Sequence, residues 1–312
     1  MVSLEVPELA YEAYTNRQLV AVPLAILAVA VAVLGITFAL TGTPLALGIE
    51  FTGGAELTIA TTADQDEVVN AFDQEPTSVQ PVQDEGQYIV QFAGGELDGF
   101  ADGDKSAVLQ SLVDQAEDSS LEPSDTAETT ADGETTIVIG DSVTSPSFGA
   151  QIQQTALLGL FAAFLGMSAI TFGLFRTFVP SLAVVASAFS DLVIPLAFMS
   201  LFGIDLTLGT VAALLMIIGY SVDSDILLNN HVIRRSGSFY ESVHRSMRTG
   251  ITMTLTSTVA MLVMAAAAWF FGITIMRDIG LILAVGLTAD IMNTYLLNVS
   301  LLRWYKFEGV GR

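Results

Sequence analysis

Asp191, Asp223, Asp225 and Asp290 each stand inside a run of apolar residues, in AFSDLVIP (188–195), GYSVDSDILL (219–228) and VGLTADIMNTY (285–295). A charged side chain in the middle of a bilayer costs roughly 2.5–3.5 kcal/mol on insertion scales, so it faces the interior of a helix bundle and marks a functional site by default. A carboxylate held away from water takes up and releases protons nearer neutral pH than a solvated one. Carboxylates, hydroxyls and opened backbone also coordinate sodium. The residue types suit both chemistries.

Helical geometry separates the pair in the second run. Each residue turns a helix by about 100°, so positions 223 and 225 lie about 200° apart and do not share a pocket. Gly219, Asp223 and Asn230 fall on one face; Ser221, Asp225 and Asn229 fall nearly opposite. Gly219 permits close helix approach one turn before Asp223, and Asn230 adds a polar group two turns on. Asp225 is nearer the inner surface and has the simpler structural explanation. Asp223 is therefore the expected ion-coupling carboxylate, with Asp225, Asp191 and Asp290 as further candidates. Pro195 removes the backbone bond to the Asp191 carbonyl, and the resulting kink suits bonds to a neighbouring helix. Asn293 and Thr294 beside Asp290 suit a packing hydrogen bond as well. Asp205, in FGIDLT (202–207), reads as part of a turn.

Six apolar stretches must position these groups: 19–40, 152–175, 178–202, 207–229, 251–272 and 277–302. Each is long enough for about 30 Å of hydrocarbon, which takes roughly 20 residues. The first is too long for a signal-peptide core and reads as a retained anchor. Composition agrees: the chain is 52% hydrophobic and 14% charged, where a soluble domain has about a quarter of its residues charged. There is no cysteine, so disulfides and thiolate metal sites are excluded. Two histidines, His231 and His244, leave little scope for another metal site.

Lysine and arginine orient the spans. With the N-terminus inside, Arg17, Arg176, Arg234, Arg235, Arg245, Arg248, Arg303, Lys306 and Arg312 fall on the inner side, and only Lys105 and Arg277 fall outside. The expected organisation is an inner N-terminus (1–18), a first span (19–40), one external domain (41–150), three spans (151–230), a basic inner loop (231–250), two spans (251–302) and an inner C-terminus (303–312). The net charge of −22 excludes nucleic acid as a partner, because phosphates would be repelled. Residues 41–150 hold 22 acidic residues against Lys105 alone. Such a surface suits a high-salt milieu, where screening weakens self-repulsion.

The external domain reads as alternating elements. GIEFTGGAELTIAT (48–61) has strand character with a Gly-Gly kink, and DQDEVVNAF (64–72) has helical spacing after an acidic start. TSVQPVQ and QYIVQFA read as strands around an Asp-Glu-Gly turn. DKSAVLQSLVDQAED (104–118) reads as a helix, the polar stretch 119–134 as a loose loop, and ETTIVIGDSV (134–143) as a closing strand. The order βαββαβ is that of a ferredoxin-like domain. The expected fold is thus a polytopic α-helical membrane protein of six transmembrane helices with one α+β external domain between the first two.

Three of these stretches together resemble the SecF branch of the SecD/SecF protein-export family, within the RND superfamily. GIEFTGGAEL (48–57) resembles its Gly-Ile-Asp-Phe-Thr-Gly-Gly signature, carried here by Gly48, Phe51, Thr52, Gly53 and Gly54, with Glu50 in place of aspartate. SDLVI (190–194) resembles a third-span motif and GYSVDSDILLNN (219–230) a fourth-span motif. The resemblance implies a non-enzymatic cell-membrane subunit with no cofactor beyond a proton or sodium gradient. It implies action with SecD, in the lipid bilayer beside the Sec channel (a SecY/SecE-type translocon), to draw a translocating polypeptide outward. Asp223 occupies the column of the SecD-type aspartate, and Ser224 that of the bacterial SecF aspartate. The family's intramembrane arginine falls at Met253 or a neighbour, with Arg248 the nearest candidate.

Another RND-type transporter of lipids or small molecules is the alternative, but such chains carry two external domains and twelve spans. An intramembrane aspartyl protease needs Tyr-Asp and Gly-x-Gly-Asp motifs, and neither string occurs here. A passive anchor leaves four intramembrane carboxylates unexplained.

Overall fold

The computed structural model describes residues 11–82, 86–95, 97, 100, 104–129, 135–234 and 238–307. The chain divides into two units: residues 1–46, 158–265 and 278–312 form a helical one, and 47–157 with 266–277 form one built around a sheet.

The helical unit begins with α1 (Asn16–Thr41). Thr15 caps it, its hydroxyl accepting from the Gln18 N–H while the Gln18 side chain accepts from the Thr15 N–H. This reciprocal pair satisfies donors that the first helical turn leaves free. α5 (Pro146–Phe175) is shared between the two units along the chain, and α6 (Phe178–Phe202), α7 (Leu208–Arg234) and α8 (Phe239–Phe270) follow. α1, α5, α6, α8 and the segment Leu208–Ile233 of α7 are five helices long and apolar enough to cross a membrane. The sixth apolar stretch is helical too, but divided: α9 (Thr274–Met292), a π-helical segment (Asn293–Asn298) and α10 (Val299–Phe307). The stretch 231–250 was expected to be a loop. Instead α7 runs to Arg234 and α8 starts at Phe239, because Leu228, Val232, Phe239, Val243 and Met247 bury an apolar face at helical spacing.

In the second unit a helical turn, α2 (Ile49–Thr52), precedes β1 (Gly54–Ala60). The sequence suggested strand from residue 48, but Phe51 folds inward there and is buried. α3 (Gln65–Asn70), β2 (Ser78–Val82), β3 (Gln87–Ala93) and α4 (Lys105–Glu117) follow, with Asp64 and Asp104 capping the two helices. β4 (Glu128–Thr129) and β5 (Thr135–Thr136) pair with each other, and β6 (Val138–Thr144) returns to the main sheet. That sheet is antiparallel in the order β2-β3-β1-β6. Ala55, Leu57 and Ile59 of β1 point into the core with Phe92, Phe100 and Leu112. Phe72 meets Phe92 edge-on at 4.9 Å, the offset geometry that aromatic quadrupoles prefer.

Part of the stretch read as a loose loop is ordered. Glu122 accepts from the Thr62 N–H and the Thr61 hydroxyl, and the Ser124 N–H donates to the Ala60 carbonyl. Residues 130–134, and the acidic pair 84–85 of the expected turn, lie outside the described residues.

Candidate functional site

Three of the four aspartates in the apolar stretches are buried and bond a shared set of polar residues. Asp191, Asp225 and Asp290 are 0%, 0% and 1% exposed. They come from α6, α7 and α9, and the π-helical segment links them. Asn293 donates to Asp191 Oδ1 at 2.6 Å, and the Ser221 hydroxyl donates to Asp191 Oδ2. Asp225 Oδ1 accepts from Thr294 Oγ1 and from Asn298 Nδ2, both at 2.8 Å. Asp290 accepts from Ser224 Oγ at 2.8 and 3.0 Å on its two oxygens, and lies 3.2 Å from Thr294 Oγ1. Among the described residues these partners are all neutral hydroxyls and amides.

The π segment explains the alignment. In an α-helix, residues four apart rotate by about 40° from one another. A wider π turn cancels part of that drift, so Asp290, Thr294 and Asn298 all reach α7. Such π-bulges recur at functional sites. The loosened backbone is braced from outside: the Tyr11 hydroxyl donates to the Tyr295 carbonyl at 3.0 Å, and the Tyr295 hydroxyl lies 3.4 Å from the Ser246 carbonyl. Arg303 in turn holds the carbonyls of Tyr11 and Tyr14 at 2.8 and 2.9 Å. Gly250 stands against Tyr295 because a Cβ there would collide with the tyrosine hydroxyl.

The two neighbouring aspartates lie in different surroundings. Asp223 is exposed in this chain, as are Gly219 and Asn230, while Asp225 and Asn229 are buried. The 200° separation expected of the pair is met, and the apolar packing falls on the Asp225 side. Arg248 is exposed on α8, its carbonyl accepting from the Thr252 hydroxyl, and it does not join the carboxylate cluster. Met253 is also exposed. Ser224, the residue in the bacterial aspartate column, bonds Asp290 directly. Asn298 escaped the sequence reading. The signal was there as a row of polar residues, Asp290, Thr294 and Asn298, at four-residue spacing in the last span. Asp205 lies between α6 and α7, apart from the cluster. Burial first, and then the nearby Asp278 carboxylate, raise its carboxyl above the usual range.

The glycine signature has a structural role in the sheet unit. Gly53 has φ 76°, which favours glycine, and a Cβ there would lie 2.6 Å from the Pro146 nitrogen. A Cβ on Gly149 would lie 2.7 Å from the Phe51 carbonyl oxygen. Gly48 caps the turn, the Thr52 hydroxyl bonds the carbonyls of Gly48 and Gly53, and Gly54 begins β1. The motif thus packs the entry of the sheet unit against the start of α5.

Family comparisons agree with these features. Residues 125–308 match the model of the C-terminal region of the protein-export membrane proteins SecD/SecF, and residues 38–65 match the SecD/SecF GG motif. The chain is 56% identical over 312 residues to a protein-export membrane protein SecF of Haloferax volcanii, covering all of both chains. It is 53% identical over 313 residues to one of Haloquadratum walsbyi, again covering both in full. Both relatives are haloarchaeal, in keeping with the salt adaptation expected from the acidic surface. The fold is similar to a crystal structure of SecDF, a translocon-associated membrane protein from Thermus thermophilus, with a TM-score of 0.68 at 20% identity. That match covers 97% of this chain and 39% of the SecDF chain. The chain therefore belongs to the SecF branch of the SecD/SecF family of protein-export membrane proteins.

Proposed function

We propose that the chain is a protein-export subunit that couples an ion gradient to polypeptide translocation, acting with a SecD-type partner after the Sec channel. The observation that carries this reading is the buried cluster of Asp191, Asp225 and Asp290, whose recorded donors are all neutral. Three buried carboxylates without a basic partner are costly unless protons or cations neutralise them. Their occupancy can therefore change with a gradient and bias the packing of α6, α7 and the last span.

The wider arrangement follows. Six spans hold both termini inside and place residues 41–150 outside as a ferredoxin-like domain. The basic-residue distribution supports that orientation, and the strand order β2-β3-β1-β6 with α3 and α4 between the strands supports the domain assignment. Asp223 belongs to the partner-facing side in this reading. It is exposed on a membrane helix, where a lone carboxylate is costly, and a Cβ added at neighbouring Gly219 would meet nothing within 4 Å. A second membrane chain on that face would cover both.

Deletion and complementation test the function. Cells lacking the chain should secrete a reporter poorly, recover with the wild-type chain, and lose that recovery when the gradient is collapsed. Mild-detergent purification should recover a SecD-type chain. Secretion that is indifferent both to the deletion and to the gradient would refute the proposal.

A further inference from the structure

α8 and the last span meet closely at two points. A Cβ added at Gly280 would lie 2.9 Å from both the Met261 carbonyl oxygen and the Ala265 Cβ, so the two helices touch there. Toward the other end the Tyr295 side chain reaches α8 at Gly250, where a Cβ would meet its hydroxyl. Residues 251–264 of α8 and 281–294 of the last span lie between these points, roughly 21 Å of helix at 1.5 Å per residue. Over that length the helices part, and a groove of about 360 Å³ opens between them. Ile26 of α1, Ile194 of α6, Thr258 and Leu262 of α8, and Val285 and Thr288 of α9 line it. All of these belong to the helical unit.

The lining decides what fills the groove. Among the described residues it carries no charged side chain. The Thr258 hydroxyl donates to the Thr254 carbonyl at 2.8 Å and the Thr288 hydroxyl to the Ala284 carbonyl at 2.7 Å, so both are engaged within their own helices. Water needs polar partners, and an apolar cavity of about 150 Å³ already stays dry. Left empty, the lining would lose dispersion contacts outright. Leu262 and Ile26 are 48% and 40% exposed, and Val259 and Val263 beside Leu262 are exposed too. The groove is therefore continuous with the apolar surface that α1 and α8 turn to the bilayer.

Depth and position narrow the occupant further. Ile194 stands three residues after Asp191, and Met292, which also lines the groove, stands two after Asp290. That is near the middle of the spans, about 15 Å from either headgroup layer in a hydrocarbon core of about 30 Å. At that depth a lipid offers its chain and not its headgroup. A partner helix is about 10–12 Å across with its side chains, and α7, which carries Asp223, lends the groove no residue among those described.

We propose that this groove is a lipid site that takes one hydrocarbon chain of a membrane lipid between α8 and α9. The chain fills the gap between the two close contacts and packs on α9 beside Asp290. No carboxylate lines the site, so it stands apart from the ion-coupled reading. The test places the full-length chain in phospholipid vesicles doped with a phospholipid that carries a diazirine midway along one chain. After irradiation, mass spectrometry locates the adducts. The wild type should carry adducts on residues 258–262 and 285–292 at least fivefold above those on Val29, which is 64% exposed on α1 and reports passing lipid. Thr288→Phe, at an exposed position on the groove, should fill it and lower those adducts at least fivefold with the Val29 label unchanged. Val263→Phe, outside the groove, should label as the wild type does. Wild-type adducts no denser in the groove than at Val29 would overturn the site, as would groove labelling that persists undiminished in Thr288→Phe. Groove labelling that vanishes when a second membrane chain co-purifies would assign the groove to that chain and equally overturn the lipid site.

Discussion

The Thr294 hydroxyl lies 2.8 Å from Asp225 Oδ1 and 3.2 Å from Asp290 Oδ1. A threonine hydroxyl carries one hydrogen, so it donates to only one of these carboxylates at a time. The other contact becomes a hydrogen bond only when Asp290 itself holds a proton to donate. Thr294 therefore links the charge state of Asp290 to the partners of Asp225, across the interface between α7 and the π-helical segment.

Thr294→Val keeps the shape and removes that link. Leaving a buried carboxylate oxygen short of a donor costs about 1–3 kcal/mol. The variant should assemble in the membrane, melt at a lower temperature and export a reporter less well. Thermal unfolding of the purified protein together with secretion in cells checks this; unchanged values for both would remove Thr294 from the account.

Gly250→Ala should be destabilising by about 1–3 kcal/mol, the usual range for overpacking, because the new methyl meets the Tyr295 hydroxyl. Tyr295→Phe removes that oxygen and should recover most of the loss in the double variant. A double-mutant cycle on melting temperature measures the coupling, and additive effects would contradict direct contact.

The Asp205 carboxyl is raised by burial first and by Asp278 second. A raised folded-state value means the fold favours the neutral form, so the linked stability is complete below the unfolded value and is lost as pH rises through the raised one. Asp205→Asn should match the wild type in melting temperature at low pH and exceed it above that window. A parallel pH dependence of the two proteins would refute the assignment.

Salt should matter most in the acidic sheet unit. Repulsion among its 22 carboxylates acts over roughly 30 Å at 0.01 M salt and about 3 Å at 1 M. Limited proteolysis of the full chain, followed across a salt series, should show cleavage within residues 47–157 appearing first as salt is lowered. Resistance that does not vary with salt would contradict the reading of the acidic surface.

Much of this was legible in the residues. Apolar runs located α1 and α6 closely, since apolarity is a local property, but α5 begins at Pro146 and α8 at Phe239, well ahead of the apolar runs 152–175 and 251–272. The strand character and Gly-Gly kink of residues 48–61 were legible, whereas the packing of Gly53 against Pro146 was not, because it depends on residues far apart in the chain. The choice between Asp223 and Asp225 was not legible in the same way. Helical periodicity says that the two point apart; it does not say which side the neighbouring helices cover. That depends on α6 and on a π turn, and no local propensity announces a π turn. The charges of the basic stretch around Phe239 suggest a loop, yet the buried apolar spacing of Leu228, Val232, Val243 and Met247 makes it helical on both sides.

Export by Asp225→Asn and Asp223→Asn, compared in cells lacking the native chain and with protein levels matched, separates the buried face of α7 from its exposed one. Both changes keep side-chain shape and remove one titratable charge. Asp225→Asn should lower gradient-dependent secretion at least tenfold with partner assembly intact, and Asp223→Asn should act chiefly on partner recovery. Normal secretion with Asp225→Asn, beside failed secretion and intact assembly with Asp223→Asn, would place the coupling carboxylate on the opposite face of α7 and contradict its assignment to Asp225.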